Sequence, residues 1–163
     1  MKTTIRQSIR YVTNTCCIVG LALFASYSAA SWSTEPYISE DYVIFTLDAH
    51  FSELNKSKAR KLFRGKTKRL DGNKFELADW PKNSLVREDF YQALLGKNLA
   101  QMNAYWAALS FSGKARPPKE LKGDNINALL TWMAAEPNRI GYAPLTKVPT
   151  DATVLFRLEV GNQ

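Results

Sequence analysis

Apolar residues fall along this chain first as one short run, CCIVGLALFA (16–25), and then, from residue 41 onward, as short groups with strand or helix spacing. DYVIFTLDA (41–49) is almost continuously apolar and rich in β-formers, the pattern of a strand buried on both faces. Asn55 then stands as an N-cap for a short helix carrying Ala59, Leu62 and Phe63 on one side, with Gly65 just past its end. A turn at Asp71 and Gly72 leads into a strand, KFELADW (74–80). Pro81 and Asn83 or Ser84 open a second helix, with Phe90, Leu94 and Leu95 as its apolar face, Val86 and Tyr91 beside it, and Gly96 as its stop.

Asn98 and Gln101 have capping-box spacing, and Leu99, Met102, Tyr105, Trp106 and Leu109 follow at helical spacing. Amphipathic spacing accounts for this aromatic stripe, which therefore reads as core. Residues 112–124, SGKARPPKELKGD, read as a loop from their Gly and Pro content. Asp124 caps a helix with Ile126, Leu129, Leu130 and Met133 on one face. Two strands close the pattern, RIGYAPL (139–145) and TVLFRLEV (153–160), the second alternating Val154, Phe156, Leu158 and Val160 against Arg157 and Glu159. Strands interspersed with helices predict an α/β fold, a mixed sheet flanked by helices, with Phe63, Phe90, Trp106 and Ile140 buried.

The first apolar run changes the picture of the chain as a whole. It follows Lys2, Arg6 and Arg10 and precedes SYSAAS, in which Ser28 and Ala30 are small residues where a signal peptidase needs them. Residues 1–30 therefore read as a signal peptide, and 31–163 as one exported, periplasmic domain. The run is shorter than the roughly 20 residues of a membrane span, and no later stretch approaches that length, so no transmembrane segment is expected after cleavage. Cys16 and Cys17 both fall in the leader, which leaves no thiol or disulfide chemistry downstream.

The leader also holds three of the 22 basic residues and none of the 15 acidic ones, so the rest is only mildly basic. The charge is uneven: Lys56, Lys58, Arg60, Lys61, Arg64, Lys66, Lys68 and Arg69 share one short segment. Such a run is either a solvated helix face or a docking surface for an acidic partner, with Lys58, Lys61, Arg64 and Lys66 as its candidates. Within it, Gly65-Lys66-Thr67 resembles the tail of a nucleotide loop. However, Arg60 stands where the first Gly is required, and Gly65 ends a helix where that loop must begin one.

Catalysis finds no constellation here. The single histidine, His50, has only Asp48 nearby as a second ligand, and Glu88 and Asp89 point to different sides of a helix. No enzyme, metal or cofactor is expected, and export makes nucleic acid a poor partner. Anion binding has better support in NSLVREDF (83–90). Ser84 stands at a helix start, where free N–H groups and the positive dipole end favour an anion, and Arg87 lies in the first turn. Asn83, Ser84, Leu85 and Arg87 are the candidate oxyanion site; the alternative is that Ser84 only caps the helix and Arg87 is solvated.

LNKSKARKLFRGKTKRLDGNKF, NSLVREDFYQALLG, YWAALSFSGKARPP and NRIGYAP, taken in order, resemble a short periplasmic subfamily of phosphate ABC transporter substrate-binding proteins, over roughly 41–145. The resemblance implies a single lobe of a periplasmic-binding-protein-like fold that binds inorganic phosphate or a similar oxyanion, with a transporter or envelope protein as partner. At the phosphate-holding turn only Ser84 and Arg87 match; Leu85 and Val86 replace a Gly and a Thr, and Lys82 stands at an acidic position. N-terminal sequencing of the exported protein is expected to start near Ser31; retention of residues 1–30 in the exported form would refute the leader.

Overall fold

The computed structural model describes residues 40–48 and 50–160; the leader and its cleavage site lie outside the described residues. Strand β1 (Tyr42–Thr46) is buried along its whole length, as its unbroken apolar run requires. Helix α1 (Lys56–Leu62) begins at Asn55, whose side chain accepts from the Lys58 N–H (2.9 Å). It ends with Gly65 at φ +64°, where the Lys66 N–H reaches the Lys61 carbonyl (3.0 Å) and the Gly65 N–H reaches Leu62 (3.1 Å). That paired closure is a Schellman turn, so the Gly-Lys-Thr stretch is a helix exit.

The remaining elements are β2 (Glu76–Asp79), α2 (Leu85–Leu95), α3 (Leu99–Phe111), β3 (Lys119–Glu120), α4 (Ile126–Ala134), β4 (Arg139–Pro144) and β5 (Thr153–Leu158). The five strands lie in the order β3-β2-β4-β1-β5. β2 runs parallel to β3 and β4, whereas β1 is antiparallel to β4 and β5. Helices cover the sheet on both faces, and alternation along β4 shows how. Tyr142 meets Phe90 in a stacked pair (centroids 3.6 Å apart) and Phe63 edge-on (5.5 Å). On the opposite face, a Cβ on Gly141 would lie 2.8 Å from Leu129 and Met133 of α4. The absent side chain lets α4 seat directly on the strand. Phe63, Phe90, Trp106 and Ile140 are all buried, as expected.

Three local expectations are corrected. Asn125, not Asp124, caps α4, accepting from the Ala128 N–H (2.9 Å). In β5 the alternation breaks: Val154 is 40% exposed and Leu155 is 2% exposed. The pairing of β1 with β5 shifts between Ile44 and Phe45, opposite Phe156 and Val154, so β5 carries one extra residue and its inward face moves to Leu155. The expected loop at 112–124 contains β3, an edge strand that pairs Lys119 and Glu120 with Ala78 and Asp79. Its two exposed charged residues have no apolar period to announce a strand.

Gly65 is required twice, by its positive φ and because an added Cβ would lie 2.9 Å from the Trp106 ring. Gly96 also has a positive φ (+65°), but nothing lies within 4 Å of an added Cβ there. Gly96→Ala should therefore cost about 1–2 kcal/mol of left-handed backbone strain, and Gly65→Ala about 2–4 kcal/mol because overpacking is added to that strain. Urea unfolding of the two variants measures the difference, and equal losses would show that Trp106 gives way freely.

Candidate functional site

The candidate residues sit at the junction of β2 and α2. Ser84 has the backbone of an N-cap, yet its side chain makes no capping bond. The residue is 1% exposed and its Oγ has no hydrogen-bond partner among the described residues. The first bond into α2 runs from the Glu88 N–H to the Ser84 carbonyl (3.2 Å), so the N–H groups of Leu85, Val86 and Arg87 have no partner within the helix. Asn83 is exposed, and Leu85, at 75% exposure, projects from the helix start. A buried hydroxyl without a partner among the described residues thus stands beside three N–H groups that the helix itself does not satisfy, the setting in which helix starts bind oxyanions.

Arg87 does not converge on that point. The alternative that Arg87 is merely solvated is corrected: the residue is 4% exposed and its Nε donates to Asp79 Oδ2 at 2.9 Å. Nη1 donates to Asn103 Oδ1 of α3 (3.1 Å), and the guanidinium lies 5.5 Å from the Tyr91 ring centre. Asp79 in turn accepts from the hydroxyls of Tyr91 (3.1 Å, Oδ2) and Tyr142 (2.6 Å, Oδ1). The carboxylate thus holds three donors from α2 and β4, as a buried charge must.

Electrostatics here is a contest between burial and pairing. Burial pushes the Asp79 carboxyl above its ordinary value, against the opposing pull of Arg87 and the phenols. Burial is the strongest single influence on Arg87 and works to lower it, but the Asp79 charge, the hydrogen bond to Asp79 and the neighbouring phenols together raise the guanidinium. Burial, and then the neighbouring Asp79 charge, hold the phenols of Tyr91 and Tyr142 well above their usual range, so both remain hydrogen-bond donors. Asp79, Tyr91, Tyr142 and Asn103 were not singled out from sequence. The available signal was an acid at the end of a strand, directly after Leu77 and Ala78, with an arginine eight residues on.

Asp79 and Arg87 also form part of the floor of an open cleft of about 1230 Å³, bounded by α3 and by the 114–120 segment. Trp80 and Lys82 reach it, whereas Asn83, Ser84 and Leu85 do not line it. Arg87 Nη2 makes no hydrogen bond among the described residues. A second depression, about 330 Å³, gathers Lys61, Arg64 and Lys66 with Lys56, Ser57 and Arg60; Lys58 lies outside it. Arg60 is partly engaged, its Nε donating to the Leu94 carbonyl (2.7 Å), and Arg64 Nε is buried without a partner among the described residues. His50 Nδ1 meets Asp48 Oδ1 at 2.6 Å, and no cluster of three potential metal ligands occurs among the described residues.

With that geometry in place, comparison with solved structures is informative. A candidate phosphate ABC transporter substrate-binding protein from Clostridium perfringens, solved with bound phosphate, superposes with a TM-score of 0.53 at 11% identity, covering 72% of this chain and 45% of that one. An ABC-type phosphate transport receptor from Vibrio cholerae gives 0.52 at 8% identity, covering 72% and 47%. This is a periplasmic-binding-protein fold. The chain spans about half the length of the solved proteins it matches. No family model matches the sequence, and no curated protein matches it. By description, one of these neighbours is a substrate-binding protein and the other a transport receptor. Among the described residues no helix is long and apolar enough to cross a membrane.

Removing Arg87 should leave Asp79 as an unpaired buried charge, so Arg87→Ala is expected to cost about 3–5 kcal/mol. The sign with pH follows from the raised Asp79 value: the folded protein holds the proton longer than the unfolded chain. The variant should therefore lose stability as pH rises above the ordinary carboxylate value of 3.8 and regain it as pH falls. Asp79→Asn in the Arg87→Ala background should remove that dependence. Denaturant midpoints between pH 4 and 8 test it, and a flat Arg87→Ala profile would mean that Asp79 is hydrated.

Proposed function

We propose that this chain is an exported, non-catalytic solute-binding module of the periplasm, residues 31–163 following a signal peptide at 1–30, which binds inorganic phosphate or a related oxyanion in connection with transport. The observation that carries the reading is the buried, unpartnered Ser84 Oγ beside the free N–H groups at the start of α2. A tetrahedral oxyanion there would accept from the hydroxyl and the amides together, with the helix dipole adding to the attraction. The shared fold with a protein solved with phosphate supports it. Arg87 ties the first turn of α2 to the end of β2 through Asp79, and the residue also lines the adjoining cleft.

A second reading has its own observation. Lys61, Arg64 and Lys66 share one depression in which Arg64 Nε is buried without an acceptor. An acidic envelope protein or transporter would supply that acceptor, and Lys58 on the outer side of α1 would extend the surface.

Calorimetry with phosphate and sulfate decides between them. Because Ser84 Oγ holds nothing in the unliganded protein, Ser84→Ala should weaken phosphate binding by roughly fivefold, the worth of about one hydrogen bond. Unfolding stability should change by less than about 0.5 kcal/mol, because no native hydrogen bond is lost. Absence of heat with millimolar phosphate would remove the first reading and leave the basic surface.

A further inference from the structure

The cleft beside α2 carries more positive charge than one oxyanion can use. Its three acidic residues are each met by a cation: Glu76 by Arg139 (3.0 Å), Asp79 by Arg87 (2.9 Å) and Glu120 by Lys82 (3.9 Å). Four further cations line the same walls without an ion pair among the described residues: Lys68 from the α1–β2 connection and Lys114, Arg116 and Lys119 from the α3–β3 segment. All four are exposed. The opening, at about 1230 Å³, exceeds the roughly 300–1,000 Å³ of an ordinary small-molecule pocket. Four unneutralised charges around one concavity focus a positive field into it.

The cleft's aromatic rings narrow the ligand class. Binding of bases needs exposed aromatic faces. Here Trp80 and Trp106 are 2% and 5% exposed, and the guanidinium of Arg139 lies 4.4 Å from the centre of the Trp132 ring. Three of the four aromatic side chains lining the cleft are thus already covered, leaving Phe75. What the walls offer along their length is cationic donors, with Pro117 and Pro118, which have no N–H to give, between Arg116 and Lys119.

We infer that this cleft binds an extended polyanion of the condensed-phosphate class, spanning from the floor at Arg87 Nη2 to Lys68 on one side and Lys114, Arg116 and Lys119 on the other. This adds a ligand class and a second set of contacts to the phosphate reading, whose Ser84 site does not line the cleft. It does not require the Ser84 site to be filled.

The test is titration of the full exported protein, by calorimetry at fixed ionic strength, with orthophosphate, pyrophosphate and tripolyphosphate. Affinity should rise stepwise with chain length and fall more steeply with added salt for the longer anions, since each contacted cation releases counterions. The triple variant Lys114→Gln, Arg116→Gln, Lys119→Gln should lose about tenfold toward tripolyphosphate, three exposed charge contacts being removed. Its orthophosphate affinity and its unfolding midpoint should be retained. Lys58→Gln with Lys61→Gln, which removes the same kind of charge outside the cleft, should leave tripolyphosphate binding intact.

Equal affinity for orthophosphate and tripolyphosphate would overturn the inference while leaving the phosphate reading standing. Length-dependent binding without orthophosphate binding would do the reverse. An equal loss in the Lys58/Lys61 variant, or displacement of tripolyphosphate by an acidic peptide or single-stranded nucleic acid of matched charge at equal concentration, would also overturn it.

Discussion

The buried pair between Asp79 and Arg87 is the interaction on which the rest of this structure depends. It joins the end of β2 to the first turn of α2, and through the Tyr142 hydroxyl it takes in β4, the strand that bridges the parallel and antiparallel parts of the sheet. Taking two charges out of water costs several kcal/mol per ion, and their attraction offsets this only if the remaining lone pairs and protons are satisfied. Tyr91, Tyr142 and Asn103 supply those partners. The arrangement therefore contributes more to the unique placement of α2 than to net stability. It fixes the direction in which the free N–H groups of that helix point.

Apolar packing leaves the pair nearly buried, with Asp79 3% and Arg87 4% exposed. Phe90 stacks on Tyr142, Phe63 meets both rings edge-on, and Trp80 Nε1 donates to the Tyr142 carbonyl (2.8 Å). These four side chains belong to the core, and Tyr142 links that core directly to Asp79 through its hydroxyl. Low dielectric strengthens the ion pair and makes its disruption expensive. This coupling explains why the site and the fold cannot be separated at Arg87, although they can at Ser84, whose hydroxyl engages nothing in the unliganded protein.

Charge is distributed on a different principle at the surface. Exposed cations on α1, on the α1–β2 connection and on the α3–β3 segment are screened individually, yet those of the last two meet across one concavity. Their effect is collective, on approach and on ligand class. Charges in the interior act instead in fixed pairs and determine geometry.

Much of the fold was legible in the residue order because local rules agree with the outcome. The unbroken apolar run of β1, the caps at Asn55 and Asn98, the helix stop at Gly65 and the burial of Phe63, Phe90, Trp106 and Ile140 all follow from period, capping chemistry and backbone sterics. The start of α2 was also legible, since Ser84 follows a strand and stands at the N-cap position. Only the tertiary structure decided what Arg87 does, because its partner Asp79 reaches it through a turn whose geometry no spacing rule specifies. The shift of β5 that buries Leu155 in place of Val154, and the pairing of Lys119 and Glu120 beside β2, belong to the same class. A strand's inward face is set by its own period until a bulge resets it, and an edge strand with no apolar period is defined by its neighbour's free N–H and C=O groups. Contacts between residues distant in sequence made those choices, because hydrogen bonds and ion pairs depend on where the completed core brings their partners together.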